Sequence, residues 1–203
     1  MSDLVVQALT PSLVDAFLRF FDHERGSAFS DNPDWAKCYC HFYEVPRAIE
    51  WPSLSASQNR TAMRARIESG EMEGFLAFHG GDVIGWANIQ PRHKLPHCFE
   101  RMQIPPTPLT CAAYEAAVVV CFVIAPEHRH QGVARALLAF AMSSLSARGI
   151  KLLDAFPFKS GDSNPGQFKA TDHYHGSQSM FVAAGFVPLS ETQSLTAMRK
   201  QLI

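Results

Sequence analysis

Arg129, Gly132 and Ala134 stand where a strand-like run gives way to a helical one, in the segment Val118 to Leu138, VVVCFVIAPEHRHQGVARALL. The β-branched residues Val118 to Ile124 favour an extended conformation. From Gln131 onward the apolar positions Val133, Leu137, Phe140 and Ala141 recur at helical spacing, as ordinary core positions do. The first turn of a helix leaves N–H groups without partners, and the helix dipole adds positive potential there, so such a junction suits a phosphate or pyrophosphate. Gly132 has no Cβ to hold an anion away from the backbone, Ala134 is nearly as small, and Arg129 offers a charge-assisted contact.

The spacing Arg129-x-x-Gly132-x-Ala134 resembles the (Gln/Arg)-x-x-Gly-x-(Gly/Ala) motif of the GNAT acyltransferase superfamily. A second match lies at Met180-Phe181-Val182-Ala183-Ala184-Gly185-Phe186, which is similar to the helix and Gly-Phe element that closes the acyl-CoA cleft in that family. The resemblance implies acetyl-CoA as co-substrate. It implies that backbone around Arg129, His130, Gln131, Gly132, Val133, Ala134 and Arg135 cradles the pyrophosphate, with His128 and His130 as surface beside the phosphates. It also implies that Phe122, Val123 and Ile124 pair with pantetheine through their main chain, and that Phe181 borders the cofactor.

Acyl transfer to an amine needs positioning, loss of a proton from the amine, and stabilisation of the departing thiolate. The carboxylate that many GNAT members carry on the pyrophosphate-side strand would fall at Val118 or Val119, and the thiolate-protonating Tyr at Phe181, so both usual groups are replaced. The candidates for their work are Tyr174, Glu115 upstream of the strand, and His173 or His175 acting as a base through water, since imidazole titrates near neutral pH. Each has a plainer reading: Glu115 as a solvated residue before a strand, and the histidines as helix caps or surface.

The patch Trp35-Ala36-Lys37-Cys38-Tyr39-Cys40-His41-Phe42-Tyr43 is expected to cover the acceptor pocket or pack on the sheet. Trp35, Tyr39, Phe42, Tyr43 and Trp86 are each open to wall or core. Cys-x-Cys is not the usual zinc spacing, and His93, His97 and Cys98 would complete a site only if two loops met, so no metal is expected. Cys121 on the cofactor strand reads as a small buried residue, with a nucleophile carrying the acetyl group as the other possibility.

Length and composition set the frame. The 203 residues suit a single domain, 1–203, with 47% hydrophobic and 18% charged residues typical of a globule. A formal charge of −1 offers nothing to nucleic acid or to an anionic membrane, and there is no apolar run long enough to span a bilayer. The N-terminus lacks a basic n-region, and five dispersed cysteines do not form a disulfide framework, so a reduced, cytoplasmic setting is expected.

The elements that must position these residues follow from periodicity and breakers. Strands are expected at Leu4 to Ala8, Gly74 to His79, Val83 to Gln90, Ala117 to Ala125, Ile150 to Phe156, Phe186 to Leu189 and Leu195 to Leu202. Helices are expected from Pro11 to Asp22, Ser57 to Ser69, Gln131 to Arg148 and about Tyr174 to Ala184. Segments 25–55, 91–110 and 157–172 read as loops, the first two as insertions. This α+β order is that of the GNAT acyl-CoA N-acyltransferase fold, a central, mostly antiparallel twisted sheet flanked by helices. It implies an N-acetyltransferase acting by direct attack of a primary amine, with a small-molecule acceptor enclosed by the three loops. The alternatives are a protein or peptide amine, or a non-catalytic acyl-CoA-binding regulator. A homodimer is possible, with Leu195 to Leu202 as a strand open to a partner.

Overall fold

β4 (Ala116–Ile124) is buried on both faces along nearly its whole length, which is why it is apolar throughout rather than alternating. The computed structural model describes residues 3–22, 26–159 and 174–202. Its other strands are β1 (Val5–Ala8), β2 (Phe75–His79), β3 (Asp82–Pro91), β5 (Leu152–Ala155), β6 (Val187–Glu191) and β7 (Thr196–Gln201). They form one sheet in the order β1-β2-β3-β4-β5-β7-β6. Only β4 and β5 run parallel. The β2–β3 hairpin turns on Gly80 and Gly81, both at positive φ (59° and 90°), the conformation a tight two-residue turn requires.

Helices cover both faces. α1 (Val14–Phe21) and α2 (Ala56–Glu68) pack with segment 26–45 against Leu76, Trp86, Val118, Val120 and Val123. α4 (Val133–Ala147) and α5 (Gln178–Ala183) pack on the opposite face against Phe75, Ala87, Ala117, Val119 and Phe122. α2 begins with a capping box, Ser55 Oγ accepting from the Gln58 N–H and Gln58 Oε1 from the Ser55 N–H.

Two register features decide where a site can form. Asn88 pairs with Cys121 but Ile89 with Val119, so Val120 is an extra residue in β4, a β-bulge. The extra residue reverses the alternation: Val118 and Val120 face α1 and α2, and so do Cys121 and Val123 beyond it, while Val119 and Phe122 face α4. Pairing with β5 also stops at this point, since the register covers only Ala116 to Val119 against Leu152 to Ala155. Beyond Val119 the sheet is split.

Several expectations need correcting. The last helix starts at Gln178 rather than near Tyr174, because Ser177 caps it by accepting the Met180 N–H at 3.2 Å. Segment 91–110 holds a short helix, α3 (Cys98–Met102), where only loop was expected. The strand thought open to a partner, β7, is paired on both sides by β5 and β6, so the sheet's free edges are β1 and β6. Among the described residues no helix is long and apolar enough to cross a membrane.

Across β5 and β7, Asp154 and Arg199 sit directly opposite each other. Asp154 is fully buried, accepts both guanidinium arms at 2.6 and 2.8 Å, and receives the Thr107 hydroxyl at 2.6 Å. Removing one partner strands a buried charge. Asp154→Ala is therefore expected to cost about 3–5 kcal/mol, read as a lowered urea midpoint. Asp154→Leu combined with Arg199→Met should recover most of that loss.

Candidate active site

The split between β4 and β5 opens a cavity of about 600 Å³. Its walls include Phe122, Val123 and Ile124 of β4, His128 to His130 of the following turn, Gly132 to Arg135 of α4, and Tyr174, Gly176, Ser177, Met180 and Ala183. At the α4 end the first intrahelical bond runs from the Ala136 N–H to the Gly132 carbonyl at 3.0 Å, which leaves the amides of Val133 to Arg135 without helical acceptors. Gly132, the N-cap residue, has φ +86°, a backbone conformation that L side chains rarely adopt. The Nδ1 of His128 is buried in the same wall without a partner. Open amides, a Cβ-free approach and an unsatisfied imidazole nitrogen fit the pyrophosphate of coenzyme A.

Main-chain roles along β4 differ from residue to residue. The Phe122 N–H already donates to the Tyr174 carbonyl at 2.6 Å, and Val123 is paired with Trp86 of β3. Strand alternation therefore turns the Ile124 N–H to the open side, while the Ile124 carbonyl accepts Arg129 Nε at 3.1 Å. Of the three residues expected to pair with pantetheine, Ile124 is the one whose N–H is so presented.

Four expected site residues are turned to other partners or stand off the cavity wall. Arg129 does not reach into the cavity as a free cation: its guanidinium grips Asp31 with both arms, at 2.5 and 3.0 Å. That hydrogen bond holds the Asp31 carboxyl below its ordinary value, and the pair fastens segment 26–36 across the cleft. Gln131 turns its side chain back to the Glu127 carbonyl at 2.7 Å. Phe181 is fully buried in the core, its ring 6.4 Å from Phe122 and 5.1 Å from Phe186, so its neighbours Met180 and Ala183 line the cavity instead. Glu115 ends a short turn before β4, where it accepts the Ala112 N–H and pairs with Lys151 at 2.5 Å. It lines neither cavity and has no path to a substrate there.

A second cavity, about 410 Å³, adjoins the first. Phe21, Phe29, Trp35, Phe42, Tyr43, Trp51 and Tyr174 form its rings, with Lys37, Cys38, Cys40 and Cys121 between them. The aromatic patch thus divides: Trp35, Phe42 and Tyr43 are wall, whereas Tyr39 and Trp86 belong to the core and Trp86 is fully buried. Phe29, Trp35, Val123 and Tyr174 border both cavities. Tyr174 is held at this junction by its own carbonyl and by the rings of Trp35 (4.9 Å) and Phe158 (5.4 Å).

Behind the junction, His175 is 1% exposed, so water does not reach it as a base would require. Its Nδ1 lies 2.9 Å from the Phe156 carbonyl and its Nε2 2.6 Å from Tyr43 Oη. The carbonyl can only accept, so Nδ1 carries the proton and Nε2 accepts the Tyr43 hydroxyl. Burial pushes the His175 pKa down to about 4, against the Phe156 hydrogen bond. Burial, with the neighbouring Tyr174 next, raises Tyr43 well above the usual phenol value. Tyr43 is the residue that sequence reasoning placed only as wall or core. His173 lies outside the described residues.

No group of three or more potential ligands is arranged for a metal among the described residues. The two insertions do meet, but through Arg101, which donates to the carbonyls of Val45, Pro46 and Ile49 at 2.7 to 2.9 Å. His41 bonds to Asn59 instead, at 2.9 Å.

The acetyltransferase (GNAT) family model matches residues 34–164, well over half of the chain. The chain belongs to this family. It is a GNAT-type acyltransferase, and acetyl-CoA is the family's acyl donor. No curated protein matches the sequence. Many solved structures share its fold. The GNAT domain of S. lividans PAT is 19% identical, with a TM-score of 0.56, covering 97% of this chain and 89% of that one. PaiA N-acetyltransferase from Thermoplasma acidophilum, solved with coenzyme A, is 12% identical with a TM-score of 0.53 over 98% of both chains. The ribosomal-protein-S18-alanine N-acetyltransferase of Escherichia coli is 13% identical with a TM-score of 0.50 over 98% of this chain and 94% of that one.

Two measurements test the site. Gly132→Glu adds backbone strain and sets a carboxylate before the open amides, so calorimetric affinity for coenzyme A should fall about tenfold or more; unchanged affinity would place the phosphates elsewhere. His175, about 4 folded and near 6.5 unfolded, binds its proton in the unfolded chain first. Its contribution to stability is complete above about pH 6.5 and is lost as pH falls toward 4, a loss of about 3 kcal/mol. His175→Gln should flatten that part of the stability–pH curve in chemical denaturation.

Proposed function

We propose that residues 1–203 form one catalytic domain that transfers the acetyl group of acetyl-CoA to the primary amine of a small molecule with a flat, apolar body. The observation that carries this reading is the placement of Tyr174 on the boundary between the two cavities. The split-strand cavity, with its open amides, is the acyl-CoA side. The aromatic cavity is the acceptor side, and its volume lies in the range of small-ligand sites. Its rings suit stacking against a planar or apolar body, and Lys37, 5.7 Å above the Trp51 ring, brings one cation to the wall.

When bound, acetyl-CoA supplies an acyl group activated as a thioester, open to direct attack by the amine. The protein then has to move one proton from the acceptor side to the sulfur side. Tyr43 lines the acceptor cavity and Tyr174 lies beside it at the junction. Tyr174 Oη takes the proton that the attacking nitrogen gives up as its own proton passes to the departing sulfur, while the Tyr43 hydroxyl, committed to His175 Nε2, stays protonated beside it. Both phenols end as they began. His175 Nε2 orients the Tyr43 hydroxyl and is a positioning residue. This relay stands in for the carboxylate missing at Val118 and Val119 and for the hydroxyl missing at Phe181.

Use of acetyl-CoA fits a cytoplasmic setting, and a second copy, where one binds, would add at β1 or β6.

Incubation with acetyl-CoA and a pooled library of small amines, read by product mass, should give a product one acetyl group heavier. Tyr174→Phe should lower its turnover about a hundredfold or more with coenzyme A affinity retained. Acetylation of peptide N-termini alone would replace the small-molecule reading. Full turnover in Tyr174→Phe would remove the relay.

A further inference from the structure

Cys38, Cys40 and Cys121 line the acceptor cavity, and the buried side of Cys40 is built from hydrogen-bond donors. The Glu73 N–H donates to Gln90 Oε1 at 3.2 Å, which fixes that amide and points its Nε2 inward. Gln90 Nε2 donates to Glu44 Oε1 at 3.0 Å and to Asn88 Oδ1 at 2.8 Å. Glu44 is itself anchored by Arg66 at 2.8 Å. With its oxygen committed, Asn88 must present Nδ2–H to Cys40 Sγ, at 3.4 Å. Trp86 Nε1–H, which can only donate, is buried without an acceptor at full hydrogen-bond geometry and lies beside the same sulfur. Cys121 lies opposite Asn88 across β3 and β4 and lines the same cavity. The Cys40 backbone is held at φ 54°, and that of Tyr39 at 44°, a left-handed conformation that non-glycine residues rarely adopt.

A fixed amide donor on one sulfur, with the unpartnered Trp86 Nε1–H buried beside it, favours the thiolate over the thiol. Burial alone would raise the Cys40 pKa, but the polar hydrogens of Cys121, Trp86 and Asn88 beside it outweigh burial and bring the thiol below its ordinary value. Its neighbours go the other way. The bond to Cys40, with burial, holds Cys121 well above the ordinary range, and burial with the Cys40 charge pushes Cys38 up to about 12. A cysteine biased towards the thiolate therefore shares the cavity wall with one biased towards the thiol.

We propose that Cys40 is a peroxide-reactive cysteine and Cys121 its resolving partner, making the acceptor cavity a site of reversible oxidation by hydroperoxides. The Cys40 thiolate attacks one peroxide oxygen and breaks the O–O bond, becoming a sulfenic acid. The other oxygen leaves as hydroxide and is protonated to water. Cys121 sulfur then attacks the sulfenyl sulfur, an S–S bond forms, and the second hydroxide leaves with the Cys121 proton as water. The two sulfurs together give up two electrons to one peroxide. The resulting disulfide would tie segment 26–45 to β4 across the cavity wall. This chemistry is independent of the acetyl-transfer reading, because it needs no acyl donor and is read without one.

The experiment treats the reduced full-length protein with hydrogen peroxide, alkylates the remaining thiols, and maps the cysteines by peptide mass spectrometry. The expected result is a Cys40–Cys121 cross-link, two hydrogens lighter, with Cys38, Cys98 and Cys111 still alkylated. In Cys121→Ser the reaction should stop at a Cys40 sulfenic acid trapped by dimedone. In Asn88→Leu, with one donor gone, peroxide consumption should slow about tenfold, as thiolate content falls with a raised pKa. A cross-link through Cys38, oxidation beginning at Cys111, or no oxidation of Cys40 in the wild type would each overturn the proposal. The wild-type map decides the matter without relying on any variant to fold.

Discussion

The extra residue at Val120 is the constraint on which the rest of the structure depends, because one bulge does two things at once. It coincides with the end of the pairing of β4 with β5, so the sheet parts beside the first cavity. It also reverses the side-chain alternation, which sends Cys121 and Val123 to the α1–α2 face and Phe122 to the α4 face. Without it Cys121 would pack against α4, far from Cys40, and Val123 would not border both cavities. The amides at the start of α4, the Tyr174 carbonyl on Phe122 and the Ile124 donor are all arranged around strand groups that this bulge leaves unpaired.

The second cavity depends on how segment 26–55 is tied down, since that stretch has only short turns of its own. Its ties are polar side-chain contacts to neighbouring elements. Arg129 grips Asp31, Asn59 binds both His41 and the Lys37 carbonyl, Tyr39 reaches Asp22, and Arg101 gathers three carbonyls. The rings are left to face inward. This explains how a loop can build a wall: the backbone obligations are met by side chains of neighbouring elements, so its aromatic residues are free to line space rather than fill it. Arg129 shows the cost of that arrangement, because a guanidinium committed to Asp31 and to the Ile124 carbonyl has little left for a phosphate.

Much of this was legible in the sequence, and the rest was not for identifiable reasons. The strand, turn and helix from Val118 to Leu138 were readable because periodicity, a Gly N-cap and a β-branched run agree on one answer. The seven strands and the four longer helices follow in the expected order. Ser177 as the true cap of α5 competed with an equally helical-looking Tyr174 to Gly176, and only the pull of the Phe122 N–H on the Tyr174 carbonyl separates them. Glu115 was plausible by proximity in sequence, yet it sits before the strand begins, at the end remote from the split. Tyr43 could not be paired with His175 from sequence at all, since 132 positions separate them. The one available hint was an aromatic patch too rich for an ordinary surface loop.

The absence of a carboxylate at the usual strand positions has a physical counterpart in the cavity itself. A carboxylate among Phe21, Trp35, Phe42 and Trp51 would carry a charge with no cation held against it in that wall except Lys37, and its desolvation would work against folding. A pair of phenols backed by a neutral imidazole carries no charge in either resting or product state. Its proton positions are set by acceptors fixed in the backbone, beginning with the Phe156 carbonyl. Such a relay is weak as a base but does not titrate in the physiological range, because His175 is held far below it and Tyr43 far above. On the proposed reading it demands little of an acceptor amine that reaches the cavity already neutral, and much of one that arrives as an ammonium ion. The same apolar surroundings that keep the wall's own groups uncharged would then favour amines of low basicity.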